Sequence, residues 1–310
     1  MKHNSSISSF KVLLLRYGLP YILVIAIVLF AINFTFEKII VANTSGSGAS
    51  KVNRILNHQS KNELVILGSS RAEGSIIPDS LGINYYNYGL AGTQDNVWIY
   101  FLEEELKKNN TNPILINFDL DGLGYRNGDP LYWLFNSSNP KIKIFIDNWK
   151  PRYAIPVIKH MGYFERYISN FIQERHSVTE IINKGAILET KKQTPSEFNL
   201  LVQERKKEHL FFKNDKNLER ELMLVLHNNK KREIIFFIPP YHESYLKSIE
   251  NYSEALSFLS ALDSIPNVRV LNYSHLKMDN AYFYNTAHLN YDGAVIFTKL
   301  IKLDITNPAK

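Results

Sequence analysis

A three-layer α/β/α domain of flavodoxin-like type, built on a parallel sheet, is the fold class this sequence predicts, and three observations predict it. Five short β-branched or aromatic runs, at residues 64–68, 84–88, 113–119, 233–239 and 268–273, read as buried strands. Segments with apolar residues at helical spacing lie between or after them, at 97–108, 218–229, 252–262 and 292–303. Strands alternating with helices argue for a parallel sheet covered on both faces. The third observation is an uncharged stretch at 17–36, ahead of every strand, long enough to cross a hydrocarbon layer of about 30 Å as a helix.

That N-terminal stretch sets the domain plan. Lys2, Lys11 and Arg16 precede it, so the positive-inside rule leaves residues 1–16 in the cytoplasm and sends the remainder across the membrane, while Lys38, Lys51 and Arg54 oppose that bias. The expected location is therefore a bacterial cytoplasmic (inner) membrane, single-pass, with the folded part outside the cytoplasm. A cleavable signal peptide is the rival reading, with the segment from Val41 through Ser45 as its cleavage site. Residues 37–60 read as a linker, because 43–50 are rich in Ser and Gly.

Residues 61–310 are then the folded domain. Its third and fourth strands are separated by far more chain than a crossover needs, so 125–217 reads as an insertion. Helical patterns at 164–175 and 197–212 make it mainly helical, and its position suggests a lid or a substrate-binding subdomain.

Composition excludes several chemistries. The chain of 310 residues has no cysteine, hence no disulfide framework, no thiolate nucleophile and no cysteine-based zinc site. There is no phosphate-cradling glycine loop, no dinucleotide fingerprint and no metal-ligand spacing, so neither a cofactor nor a metal is expected. The formal charge of +6 is concentrated: residues 141–216 hold 15 Lys and Arg against 9 Asp and Glu, and the rest of the chain 21 of each. Solvated helix faces account for such a surplus, and so does an anionic polymer or a phosphate-bearing lipid surface. Nucleic acid is not an expected partner, since no recognised binding motif is present.

The chemistry-bearing residues fall at the two ends of the domain. The first strand runs into Gly68-Ser69-Ser70-Arg71, delivering a small hydroxyl at the edge of the sheet where open α/β folds place ligands. Near the end stands His288, in the segment Asn285-Thr286-Ala287-His288-Leu289-Asn290. A serine hydroxyl is a weak nucleophile and needs a base, a group to orient that base, and donors for the oxyanion. Ser70 would attack, His288 would take its proton, and amides of the Ser70 turn would hold the oxyanion. An ordinary strand-to-helix turn with a serine cap, and a core histidine, are the structural alternatives.

These blocks resemble the SGNH (GDSL-like) hydrolase superfamily: Gly68-Ser69-Ser70 at its first block, Asn87-Tyr88-Gly89 at its second and His288 at its last. Gly-Ser-Ser-Arg-Ala together with His-Leu-Asn is similar to the membrane-anchored branch that includes D-alanine transfer proteins and alginate-type O-acetyltransferases. The resemblance covers the core from about 64 to 302 and not the insertion. It implies Ser70 as nucleophile, His288 as base and the Gly89 amide as a second oxyanion donor. It also implies O-acylation, in particular O-acetylation, of a cell-envelope or exported polysaccharide, with an acyl donor passed on by a multispanning membrane acyltransferase. An esterase of the same fold, or a catalytically weak polysaccharide-binding component, are the alternatives.

Two departures from the family pattern matter. Its third-block asparagine has no clean match; Asp119-Leu120-Asp121 ends the corresponding strand, with Asp121 placed near the site without a defined role. Asn285 stands where the family keeps an aspartate three residues before the histidine, so either the Asn285 amide or a carboxylate from elsewhere, such as Asp279, orients His288. Tyr241 and His242 come after the fourth strand and should open onto the Ser70 edge, where they would line an acceptor site unless the Pro239-Pro240 turn alone explains them. Arg71 would bind an anionic group there or pair structurally.

Overall fold

The computed structural model describes residues 14–42, 48–57, 61–93, 95–124, 180–229 and 231–306. In chain order the α-helices among the described residues are α1 (Leu19–Ala42), α2 (Gly48–Leu56), α3 (Ser70–Ser75), α4 (Pro78–Leu81), α5 (Asp95–Leu106), α6 (Pro195–Arg205), α7 (Lys216–Asn228), α8 (Glu243–Lys247), α9 (Tyr252–Asp263) and α10 (Tyr291–Thr306). The strands are β1 (Leu64–Leu67), β2 (Tyr85–Asn87), β3 (Ile114–Asn117), β4 (Glu180–Asn183), β5 (Ala186–Glu189), β6 (Ile234–Ile238), β7 (Val268–Asn272), β8 (Phe283–Asn285) and β9 (His288–Leu289).

Five strands form one parallel sheet in the order β2–β1–β3–β6–β7. This is the doubly wound arrangement, in which the winding direction reverses between β1 and β3 and opens a crevice beyond their C-terminal ends. Because successive side chains alternate across a strand, each run supplies both faces. Val65 and Leu67, Ile114 and Ile116, and Ile234 and Phe236 pack under α5, α7 and α9. Ile66, Leu115, Ile235 and Phe237 pack under α3, α6 and α10. Full burial of each such side chain contributes about 1.5–3 kcal/mol, which is why these strands read as continuous apolar runs.

Helix α1 is uncharged from Leu19 through Phe36, and of Leu19 through Thr35 only Asn33 is even partly covered by described residues. At 24 residues it is about 36 Å long, so it is long and apolar enough to be a membrane anchor or a signal sequence. It runs six residues past the expected end at 36.

The expected linker at 37–60 is corrected. Residues 48–56 form α2, whose Val52, Ile55 and Leu56 are buried against the sheet layer. Lys51, fully buried, extends its ammonium to Glu73 Oε1 at 2.6 Å and to the Gly89 carbonyl at 2.5 Å. Three apolar positions on one face outweigh a Ser/Gly-rich start.

The described part of the insertion holds strands as well as helix. Residues 125–179, including the helical pattern at 164–175, lie outside the described residues. From residue 180 the chain forms the β4–β5 hairpin and then α6, which ends at Arg205 rather than near 212. The hairpin turn has φ 42° at Lys184 and +86° at Gly185, a pair of left-handed residues as in a type I′ turn. A side chain at Gly185 would sit 2.1 Å from the Asn87 carbonyl, so only glycine lets the turn dock on β2. Lys184 O accepts the Asn87 N–H there at 2.9 Å.

Replacing Lys51 by methionine leaves Glu73, with 11% of its side chain exposed, without its cation. Breaking a buried pair from one side costs about 3–5 kcal/mol. The full chain in detergent should therefore unfold at lower urea with Lys51→Met, while Lys51→Met/Glu73→Gln recovers much of the loss.

Candidate active site

The turn after β1 is built on a close backbone approach. Gly68 has φ +133°, a region reserved for glycine, and a side chain there would meet Asn117 Cβ at 2.7 Å. The chain can therefore swing from strand to helix in two residues. Ser69 becomes the N-cap of α3: its Oγ accepts the Arg71 N–H at 3.2 Å and its hydroxyl donates to Asn117 Oδ1 at 3.2 Å. Ser70 is the first residue of the helix and is left half-buried. Its backbone N–H, as the first of α3, has no intrahelical partner and remains able to donate to an anion.

The second half of the site is the short β8–β9 hairpin. Asn290 holds it by donating from Nδ2 to the Ala281 carbonyl at 2.7 Å and accepting the Gly293 N–H at 3.1 Å, which fixes the start of α10. His288 projects from it so that Nε2 lies 2.9 Å from Ser70 Oγ, although 218 residues separate the two. On the other side of the ring, Nδ1 lies 3.0 Å from Asn285 Oδ1.

The protons in this chain of contacts can be assigned. Asn285 Oδ1 also accepts the Ala287 backbone N–H at 2.9 Å. If the amide were reversed, its NH2 would face that N–H, donor against donor. The oxygen must therefore face His288, which must protonate Nδ1 and leave Nε2 as the acceptor for the Ser70 hydroxyl. Asp279 is not the orienting group: it is exposed and accepts the Ala281 N–H at 2.8 Å, capping the turn at Asn280–Tyr282.

Gly89 takes a different place from the expected one. Its N–H donates to Asn87 Oδ1 at 2.9 Å, and its Cα packs so closely on α3 that a side chain would meet the Glu73 nitrogen at 2.6 Å. The glycine lets the β2 loop lie against α3, and its amide is already committed. Asn87 completes that seam by donating from Nδ2 to the Ala72 carbonyl at 2.7 Å.

The four residues expected to meet substrate belong largely to the frame. Arg71 is buried, with Nη1 2.7 Å from Asp119 Oδ2 and 3.5 Å from Asp121 Oδ1, and Nη2 donating to Tyr245 OH at 2.8 Å. Burial opposes its charge, and Asp119 together with Tyr241, Tyr245 and Asp121 more than offsets this, holding the guanidinium well above its ordinary pKa. Asp121, about one-third exposed, is thus a second and longer partner of Arg71. Tyr241 is buried and stacked on Tyr245 at 4.7 Å between ring centroids, and burial raises its pKa well above the usual phenol value.

His242 accepts the Ser244 N–H on Nδ1 at 3.1 Å, capping α8, and meets Phe198 and Phe283 edge to face. The sheet edge was the right place for these residues, but their side chains turn inward. Residues outside the expected site set do as much: Asp119, Tyr245, Asn117 and Lys51 all bear on the turn at Ser70.

No protein-family model matches the chain, and no curated protein does. Among solved structures it is similar to a proposed platelet activating factor from Streptococcus pneumonia, 14% identical, over 92% of this chain and 97% of that one, with a TM-score of 0.39.

Two predictions come from this geometry. A carboxylate in place of Asn285 keeps both acceptor contacts and adds charge toward an imidazolium. A charged hydrogen bond is stronger than a neutral one by about 1–1.5 kcal/mol, or roughly tenfold in rate. Asn285→Asp should accordingly speed the reaction of Ser70 with a fluorophosphonate about tenfold, and Asn285→Leu should slow it, as read by the labelling rate.

The second concerns His242, whose pKa burial holds below the usual histidine range against the opposing hydrogen bond with Asn280. An unfolded histidine takes up its proton near pH 6.5, roughly, and the folded one only at lower pH. Between these the unfolded state binds more protons, so the contribution is complete above that pH and is lost as pH falls toward the folded pKa. His242→Asn, which retains a capping acceptor, should flatten the fall in melting temperature below about pH 6.5.

Proposed function

We propose that this chain is a membrane-anchored, extracytoplasmic serine acyltransferase of the SGNH type that O-acylates a cell-envelope or exported polysaccharide, acetyl being the favoured group. The observation that carries this reading is the hydrogen-bonded series Ser70 Oγ, His288 Nε2, His288 Nδ1 and Asn285 Oδ1, at 2.9 and 3.0 Å, at the crevice end of a doubly wound sheet. That series is the acyl-transfer constellation, with an amide in the orienting position. The block order Gly-Ser-Ser, Asn-Tyr-Gly and His-Leu-Asn supports the family and, through it, the substrate class.

In the first step Ser70 Oγ attacks the acyl carbonyl carbon of the donor while its proton passes to His288 Nε2. The Ser70 amide receives the developing oxyanion. Collapse breaks the bond to the donor's leaving group, which His288 protonates, and leaves an acyl-Ser70 ester. A sugar hydroxyl then gives its proton to His288 and attacks the ester, and His288 returns the proton to Ser70 Oγ as the new ester departs. Water in place of the sugar makes the same site an esterase.

The junction between α1 and the domain supports a substrate near the membrane. Lys51, in the first turn of α2, binds Glu73, three residues from Ser70, so the chain enters the domain at the edge that carries the site.

The test is covalent labelling of the full chain with a fluorophosphonate. Ser70 should be modified, and Ser70→Ala and His288→Ala should abolish the modification while melting as the parent does. Ester cleavage of p-nitrophenyl acetate that accelerates with an added glycan, with acetate recovered on the glycan, marks transfer. Cleavage indifferent to glycan marks an esterase, and a folded chain that never labels refutes the acyl-serine mechanism.

A further inference from the structure

The two reacting side chains come from opposite ends of the chain, and their 2.9 Å contact requires that the Ser70 turn and the β8–β9 hairpin be held in register. One continuous set of contacts spans that gap. Arg205, the last residue of α6, donates from Nε to Thr286 Oγ1 at 3.0 Å. Thr286 lies two residues before His288 and is 2% exposed, and its carbonyl also accepts the His242 N–H at 3.1 Å. The Arg205 guanidinium then sits 4.9 Å from the centre of the Tyr245 ring. Tyr245 OH in turn accepts from Arg71 Nη2, and Arg71 is the residue directly after Ser70.

We propose that Arg205 is a positioning residue for the acyl-transfer reaction, coupling the hairpin that carries His288 to the turn that carries Ser70 through Tyr245 and Arg71. The inference rests on Ser70 and His288 being the reacting pair. Its physical basis is the shape of guanidinium, which donates in its own plane and stacks on a ring with its face, so that one side chain fixes both a hydroxyl and an aromatic. Lysine does not do both, having a point charge on a flexible stem. The sheet and its covering helices need no such contact. Arg205 belongs to the segment inserted between β3 and β6, is one-fifth exposed, pairs with Glu208 on its outer side, and reaches Thr286 of the hairpin and Tyr245 of α8.

The test compares Arg205→Met, Arg205→Lys, Thr286→Val and Thr286→Ser in the full chain. A displacement of about 1 Å at a reacting pair costs on the order of 100-fold, so Arg205→Met and Thr286→Val should each slow fluorophosphonate labelling of Ser70 by about 10- to 100-fold. Arg205→Lys should not restore the rate, whereas Thr286→Ser, which keeps the acceptor, should. The double variant Arg205→Met/Thr286→Val should be no slower than the slower single variant, because both remove one contact. Rates within twofold of the parent, or losses that track the unfolded fraction alone, overturn the proposal.

A second readout does not depend on turnover. In protein labelled with ¹⁵N-histidine, with the His288 signal assigned by its loss in His288→Gln, the parent should show a single tautomer protonated on Nδ1. Arg205→Met and Thr286→Val should mix the tautomers. An unaltered His288 signal overturns the proposal even if labelling slows. If the parent never labels yet the tautomers respond, the acyl-transfer reading fails and the coupling stands.

Discussion

The turn at Gly68 is the constraint on which the site depends. A side chain there cannot coexist with Asn117 on the neighbouring strand, and its φ of +133° is one that other residues rarely adopt. With glycine, β1 and β3 stay paired at Ile66 with Leu115 and at Leu67 with Ile116, and the chain still reverses into α3 at once. Ser69 then has its cap role and its bond to Asn117, and Ser70 has no freedom to turn into the core. The position of the hydroxyl is set by backbone geometry before any contact with His288 is made.

Around this turn the molecule buries charge, which demands explanation because burial penalises ions. Lys51 with Glu73 and Arg71 with Asp119 both clamp α3, one from the N-terminal helix α2 and one from the loop after β3. At the opposite end of the sheet, Glu105 holds both Arg232 and Lys108. Such pairs add little net stability over apolar packing, but each accepts only one geometry, so a slipped strand or a rotated helix would strand a charge. The α3 clamps consequently act on specificity of placement, and the residue placed is Ser70.

The five sheet strands were legible because strands buried on both faces carry unbroken β-branched and aromatic runs, as in residues 234–238. Helix α2 was hidden by the Ser and Gly before it, since three buried apolar positions make a faint pattern in nine residues. The β4–β5 hairpin was hidden by Lys184, which takes a turn position normally marked by Asn or Gly. Ser70, His288 and Asn285 were readable as types at the right edge. The direction of side chains at that edge could not be read: Arg71, Tyr241 and His242 share it with Ser70 yet turn into packing, and the partners that turn them, Asp119, Tyr245 and Phe198, come from three other elements.

Asparagine in the orienting position separates two roles that an aspartate performs together. An aspartate fixes the histidine tautomer and also stabilises the imidazolium by its charge. Where an asparagine replaces it in a serine protease the loss of about four orders of magnitude arises from the wrong tautomer, because the amide can present its NH2 to the ring. Here the Ala287 N–H at 2.9 Å denies that orientation, so the amide oxygen faces Nδ1 and the tautomer is the productive one. The tautomer role is thus met by a backbone amide acting through a neutral side chain, and only the charge is absent. A site of this kind still directs the Ser70 proton to Nε2, and its deficit is confined to the energy of an imidazolium formed there.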